Sequence, residues 1–123
     1  MKQLIENRLK GVFRSYKTFR PNGDVILHSV DDFQEWDFND NRILVISHHQ
    51  QHRKKILCET NQWTIEFQNK RYFLNIAQPS MHLEIISINH TGLVIENSAR
   101  NEKVFFAQFP IWESLIKNRL PVL

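Results

Sequence analysis

Strict alternation of apolar and polar residues is the feature that most limits how this chain can fold. Between residues 62 and 68, the side chains of Trp63, Ile65 and Phe67 fall on one face and polar side chains fall on the other. A period of two residues is that of a β-strand with one buried face. Similar segments recur, with turn residues about every 8 to 12 positions, which is the spacing of an all-β sandwich or barrel.

The number and order of these segments favour a barrel. About nine or ten short strands can be counted, and no helix-length amphipathic segment lies between them, so a parallel sheet with helical crossovers is not expected. Strands joined by tight turns form an antiparallel meander, and closure removes the unpaired edges of a meander this long. We therefore predict an all-β fold, a single antiparallel up-and-down β-barrel of about eight to ten strands over residues 11–109.

A helical period is found only near the two ends of the chain. Leu4, Ile5 and Leu9 make one stripe of a short N-terminal helix that stops before Gly11. Near the C-terminus, Pro110 suits a first helical turn. An amphipathic helix over residues 110–120 is predicted to lie on the barrel wall, with its apolar stripe formed by Ile111, Trp112, Leu115, Ile116 and Leu120. The whole chain, residues 1–123, is expected to be one domain.

Charge is distributed unevenly along the chain, although the formal net charge is only +3. Residues 1–20 contain six basic residues and one acidic residue, whereas residues 21–41 contain six acidic residues and no basic one, histidine aside. Neighbouring strands of opposite charge stabilise each other, and we favour this interpretation over a nucleic-acid footprint. Since no apolar run approaches the roughly 18 to 20 residues that span a bilayer and no signal peptide is evident, a cytoplasmic location without a membrane span is expected.

Three hairpins have a pattern that is similar to a known group of barrels. They join residues 35–39 to 42–46, residues 62–65 to 72–76, and residues 83–88 to 92–95. With the short first helix and the late amphipathic helix, the layout over residues 9–109 resembles small bacterial lipocalin-like domains of the calycin group. Lipocalins typically open with glycine, any residue and tryptophan, with an arginine packed over the tryptophan ring, whereas this chain has Gly11-Val12-Phe13. A pleckstrin-homology-like barrel, which has seven strands, is the alternative.

The resemblance implies a non-enzymatic, lipocalin-like protein that binds an apolar or amphipathic small molecule, such as a lipid, without a cofactor. An eight-stranded barrel is just wide enough to be filled by side chains or to hold one small ligand. Tyr16 or Arg14 would orient a polar head group. The interior is expected to be lined by Trp36, Phe38, Trp63, Ile65, Phe67, Leu74, Ile76 and Phe106. The alternative is a filled barrel that acts as an interaction or scaffolding module, for example as a homodimer.

No other segment predicts chemistry. In a hairpin, His48 and His52 could share a metal ion, but three basic residues follow them and residues 48–55 contain no carboxylate or thiol, so a solvated loop is preferred and no metal site is predicted. A basic patch that responds to pH is the intermediate interpretation. No motif of a hydrolase, phosphate loop or metalloprotease is present, so the chain is not expected to be an enzyme. Cys58, the single cysteine, is expected to be a buried and inert thiol.

The aromatic residues also allow a second interpretation as a surface that stacks on nucleic-acid bases. Trp36, Trp63 and Phe67, however, alternate with polar residues in the manner of a core face. No nucleic-acid partner is therefore predicted.

Overall fold

One antiparallel sheet, seen here in a computed structural model, closes on itself and forms the body of the molecule. The structure describes residues 2–39, 41–49, 57–77, 80–89 and 91–117. The strands, in chain order, are β1 (Gly11–Phe19), β2 (Val25–Leu27), β3 (Phe33–Phe38), β4 (Ile43–His49), β5 (Leu57–Gln68), β6 (Arg71–Ile76), β7 (Met81–Ile88), β8 (Gly92–Asn97) and β9 (Glu102–Gln108). Two helices flank the sheet, α1 (Lys2–Leu9) and α2 (Phe109–Lys117). Neither described helix is long and apolar enough to cross a membrane.

Closure depends on β1, which pairs on both of its sides. On one side it pairs with β9 along nearly its whole length, from Phe13 to Phe19. On the other side its first residues pair with β3 and its last residues, from Lys17 onward, pair with β2. The barrel therefore has eight strands, β1 and β3 to β9, and β2 is a short ninth strand that extends the wall. This confirms the predicted closed antiparallel barrel, which has one strand more than a pleckstrin-homology-like barrel.

The basic and acidic segments of the sequence meet where β1 pairs with β3. Arg14 lies directly opposite Glu35 in this pairing, and a guanidinium nitrogen lies 3.0 Å from a carboxylate oxygen. Because both side chains are largely covered, this pair contributes more than an exposed ion pair of the same geometry would. The uneven charge of the first 41 residues is thus used, at least here, to pair neighbouring strands.

The two ends of the barrel differ. We call the end where β1, β4, β6 and β8 begin the closed end, because α1 packs there and buries Ile5 and Leu9 in the core. The opposite end, where these strands finish, is the open end. Seven apolar side chains have less than 2% of their surface exposed, and all but Leu74, which lies just past the middle of β6, belong to α1 or to the closed half of a strand: Leu9, Phe13, Phe38, Leu44, Leu74, Leu93 and Phe106. The closed half is therefore packed solid.

A cation clamps α1 onto the closed end. Arg42, in the turn between β3 and β4, donates a hydrogen bond to the carboxylate of Glu6 on α1, and its guanidinium lies 5.5 Å from the centre of the Trp63 ring. Arg42 has a φ of 59°, in the left-handed region that is uncommon for residues other than glycine. The ion pair and the ring contact thus hold a residue whose backbone conformation is itself unfavourable.

Helix α2 packs against the outer wall, not inside the barrel. Its Trp112 and Ile116 form a second apolar cluster with Phe33 and Ala107 on the strands. A β-bulge interrupts the β1–β9 pairing between Ser15 and Lys17, and the indole N–H of Trp112 donates to the Ser15 carbonyl at 2.9 Å. The helix therefore satisfies a backbone group at the bulge while burying its own polar nitrogen. Leu120 of the predicted helix lies outside the described residues.

Two isoleucines of α2 give a matched test of this packing. Ile116 is 4% exposed and Ile111 is 38% exposed. We expect Ile116→Ala to lower the free energy of unfolding by about 2–5 kcal/mol, because it leaves a cavity in the second cluster. Ile111→Ala should lower it by less than about 1 kcal/mol. Urea denaturation measures both values, and equal losses would contradict the packing of α2 on the barrel.

The clamp on α1 is tested by a double-mutant cycle. Arg42→Met leaves the Glu6 carboxylate, which is on a residue only 8% exposed, without its cation, so we expect a loss of about 1–3 kcal/mol. Adding Glu6→Gln should restore part of that loss, since no buried charge then remains unpaired. Arg71→Met is the control, because the Arg71 side chain is 62% exposed and lies at 3.4 Å from the Glu84 carboxylate, and it should cost about 0.5 kcal/mol or less. If the two substitutions change the free energy of unfolding in a purely additive way, the Arg42–Glu6 ion pair does not hold α1 on the barrel.

Candidate functional site

A cavity of about 450 Å³ lies in the open half of the barrel, and we call it the barrel cavity. Its apolar wall is formed by Trp36, Ile46, Met81, Leu83, Ile95 and Val104. Its polar lining consists of Gln34, His48, Asn97, Arg100 and Glu102. The volume falls within the range of about 300–1,000 Å³ that is usual for small-molecule sites. The interior is therefore packed at the closed end and hollow at the open end.

Strand register explains why these side chains share one interior. Residues directly opposite each other in an antiparallel pair point to the same face. Trp36 lies opposite Ile46 across β3 and β4, and Ile95 lies opposite Val104 across β8 and β9. The indole nitrogen of Trp36 donates to the side-chain oxygen of Gln34 at 3.0 Å, so the one polar atom of this ring is satisfied within the wall.

A second cavity, of about 260 Å³, adjoins the first near the start of β3, and we call it the side cavity. It exists because β3 separates from β1 after Arg14, whereas β2 begins to pair only opposite Lys17. Its lining includes Thr18, Ile26 and His28. Four residues line both cavities, which places the two side by side: Gln34, His48, Arg100 and Glu102.

His28 fills part of the gap between β2 and β3. Its Nδ1 is hydrogen-bonded to Ser15 Oγ at 2.6 Å and its Nε2 to Thr18 Oγ1 at 2.8 Å. Ser15 Oγ also accepts the backbone N–H of Gln34 at 2.9 Å. A serine next to a histidine is the beginning of a catalytic arrangement, but Ser15 is completely buried. The second ring nitrogen of His28 is bonded to the Thr18 hydroxyl, whereas in a triad the second nitrogen of the histidine is bonded to a carboxylate. The group therefore holds β1, β2 and β3 together.

An ion pair and a histidine–carboxylate hydrogen bond flank the open end. Arg20 lies 3.9 Å from the carboxylate of Glu102, and His48 Nε2 lies 3.1 Å from the carboxylate of Asp32. Each pair connects a turn or a loop residue with a strand that lines the barrel cavity. The open end is therefore polar at its rim, above an apolar wall.

Of the residues predicted to line a ligand site, Trp36 is in the wall of the barrel cavity. The others that are buried belong to the packed core and contribute to neither cavity. These are Phe38, Trp63, Ile65, Leu74, Ile76 and Phe106. Alternation placed them on the inward face, but it carries no information about which half of a barrel is filled.

Phe67 does not line the interior, in contrast to the prediction. It is on the same face as Trp63 and Ile65, yet it is 56% exposed. The reason is that β5 is longer than β4. Strand β4 pairs with β5 only up to Gln62, and from Trp63 onward β5 pairs with β6 alone. The Phe67 ring packs on the ring of Tyr72, with 4.7 Å between ring centres, in this projecting hairpin.

Arg14 and Tyr16 also differ from the prediction, because both lie on the outer wall. Phe13 points inward, so alternation turns Arg14 outward, where its guanidinium lies 4.9 Å from the centre of the Trp112 ring on α2. The same alternation turns Tyr16 outward, where it packs against the second cluster. Neither side chain can orient a head group inside the barrel.

Sequence reasoning missed the polar lining of the cavities. Gln34 could have been predicted, because it lies two residues before Trp36 on the same strand and therefore on the same face. Arg100 belongs to a turn, where no alternation indicates the direction of a side chain. His48 was singled out as one of two candidate metal ligands, and it pairs instead with Asp32. His52 lies outside the described residues, as does the Cys58 side chain, and the part of the chain that is described contains no group of three or more metal-ligating side chains.

The architecture defines the class of this protein as a closed eight-stranded antiparallel barrel with a short helix at each end, which is consistent with a calycin-like fold. Comparisons with protein-family models, with curated proteins and with solved structures found no match to the chain. The assignment to this class therefore rests on strand order, closure and the asymmetry of the two ends.

Proposed function

We propose that this protein is a lipocalin-like small-molecule binding protein, which holds an apolar or amphipathic ligand, such as a lipid, in the barrel cavity. The observation that carries the proposal is the cavity itself, about 450 Å³ in the open half of a barrel whose other half is packed solid. A packed closed half gives the site a rigid floor, so little ordering is required when a ligand binds.

The lining favours a ligand with an apolar body. Six apolar side chains form the wall, and the polar ones lie toward the turns at the open end. Each Å² of apolar surface that a ligand buries contributes about 25 cal/mol. The apolar part of a ligand would therefore lie against Trp36 and Ile95, and its polar part would stay near the rim.

Binding without catalysis is part of the proposal. The serine–histidine pair that comes nearest to a catalytic arrangement is buried in the wall, and its hydroxyl is occupied by a backbone N–H. A ligand in the barrel cavity would meet an apolar wall there and no nucleophile held by a base. The site resembles those of carriers and sensors more than those of hydrolases.

Uptake of a neutral, apolar fluorescent dye tests the proposal. We expect phenylnaphthylamine to bind with one molecule per chain and to receive energy transfer from Trp36, because that ring lines the barrel cavity. Trp36→Phe should reduce the transfer much more than Trp112→Phe, since Trp112 lies on the outer wall. A dye that fails to bind, or that binds with no preference for Trp36, would contradict the proposed site.

Filling the cavity gives a second test of the same site. Val104 lines the barrel cavity, and Val94, on the adjacent strand, lies outside it between the buried residues Leu93 and Ile95. Val104→Trp should lower dye affinity by about tenfold or more, which is at least 1.4 kcal/mol, because the new ring occupies the binding volume. Val94→Trp is the matched control and should leave affinity unchanged. Fluorescence titration measures both, with circular dichroism to verify folding.

Exposed apolar side chains favour a second candidate function, self-association. Val25 lies opposite Phe19 and Leu27 lies opposite Lys17, so Phe19, Val25 and Leu27 share the outer face, and all three are exposed. Since β2 has an open edge, a second copy could pair with it. Light scattering would then give twice the mass of the chain, and Leu27→Glu would restore the monomer. A monomer at all concentrations would exclude this candidate and leave the ligand site untouched.

A further inference from the structure

Arg100 occupies a fixed position where the two cavities meet. It lies in the turn between β8 and β9 and lines both the barrel cavity and the side cavity. The turn is well ordered, because the Arg100 backbone N–H donates to the Asn97 carbonyl and the Ala99 N–H donates to the Asn97 side chain, both at 3.1 Å. Asn101 completes it with a left-handed φ of 52°. The base of the Arg100 side chain is therefore held at the rim.

Arg100 is also a cation of the rim, and the rim carboxylates have other partners. Glu102 has an ion pair with Arg20, and Asp32 accepts from His48. Within the described part of the chain, the Arg100 guanidinium has no ion-pair partner. Asp32 lines the side cavity together with Arg100, but its carboxylate accepts from His48 and 70% of its side chain is exposed to solvent.

A second donor, the side-chain amide of Gln34, lines the same two cavities as Arg100. The side-chain oxygen of Gln34 accepts from Trp36, so its amide nitrogen is left as a donor and has no partner among the described residues. Gln34, like Arg100, lines both cavities. A guanidinium and an amide N–H at one junction match an acceptor group that carries negative charge.

We infer that the ligand carries an anionic head group, which Arg100 binds at the junction while the apolar tail occupies the barrel cavity. This inference rests on the proposed function and names the class of its ligand, an amphipathic acid. A carboxylate or a phosphate offers the paired oxygens that a guanidinium binds in two parallel hydrogen bonds. The side cavity gives such a head group and its water molecules room. A cationic head group would meet a like charge at the same place.

Alkyl compounds that differ only in the head group test this inference. Decanoic acid, decyl phosphate, decanol and decylamine are compared by displacement of phenylnaphthylamine and, independently of the dye, by isothermal titration calorimetry. We expect both anions to bind about tenfold more tightly than decanol, and decylamine to bind most weakly. The ratio of the affinities for decanoic acid and decyl phosphate shows whether a carboxylate or a phosphate is the preferred head group.

Substitutions of Arg100 assign the preference to its side chain. Arg100→Gln should weaken binding of the anions to the level of decanol and leave decanol unchanged, and Arg100→Glu should make decylamine the preferred compound. Arg71→Gln is the matched control, because Arg71 is exposed in the projecting hairpin and paired with Glu84. It should leave all affinities unchanged.

The outcomes separate this inference from the proposed function. If decanol binds as tightly as the anions, or if Arg100→Gln retains their advantage, the anionic head group is excluded while the apolar site stands. If the dye and all four compounds fail to bind by either method, the proposed function and the inference both fail.

Discussion

The pairing of β1 on both of its sides is the constraint on which the rest of the structure depends. A meander of eight strands becomes a barrel only because β1 meets β9 on one edge and β3 on the other. The bulge after Ser15 lets β1 change partners from β3 to β2 while it stays paired with β9. The same bulge exposes the Ser15 carbonyl that Trp112 binds. Closure of the barrel, the side cavity and the packing site of α2 therefore all depend on the middle of β1.

The two halves of the interior differ because of where large side chains fall along the strands. At the closed end, the Phe13 ring meets the Phe38 ring edge to face, with 6.0 Å between centres, and Phe38 meets Trp63 in the same way at 5.4 Å. Toward the open end the inward residues include Met81, Val104 and several polar side chains, and together they leave space. Arg42, in the turn between β3 and β4, adds a cation over the Trp63 ring at the closed end.

Much of the fold could be predicted from the sequence, because alternation decides which side of a strand is apolar and turn residues decide how strands connect. Trp36 and Ile65 are buried for that reason. Phe67 obeys the same alternation and is nevertheless exposed, since the length of its neighbour β4 is a property of the whole sheet. Arg14 and Tyr16 were misplaced because the inward direction of Phe13, which turns both of them outward, has no sequence signal.

The candidate site could be predicted less well than the fold. A cavity is the difference between the volume inside a barrel and the volume of its side chains, and both depend on all strands together. The polar lining is harder still to predict, because Arg100 and Gln34 line the same cavity from a turn and a strand that are far apart in sequence. Sequence patterns relate residues that are close along the chain, whereas this site consists of residues that are far apart in sequence and close in space.

The small size of β2 has a consequence for exchange between the interior and bulk water. A strand of three residues, tied to β1 by few backbone bonds and by the imidazole of His28, opens at a much lower free-energy cost than the eight-stranded wall. Its detachment would uncover the side cavity laterally and leave the barrel intact. The residence time of a bound molecule would then depend on how often β2 detaches. Tight binding would therefore be compatible with rapid exchange of the bound molecule.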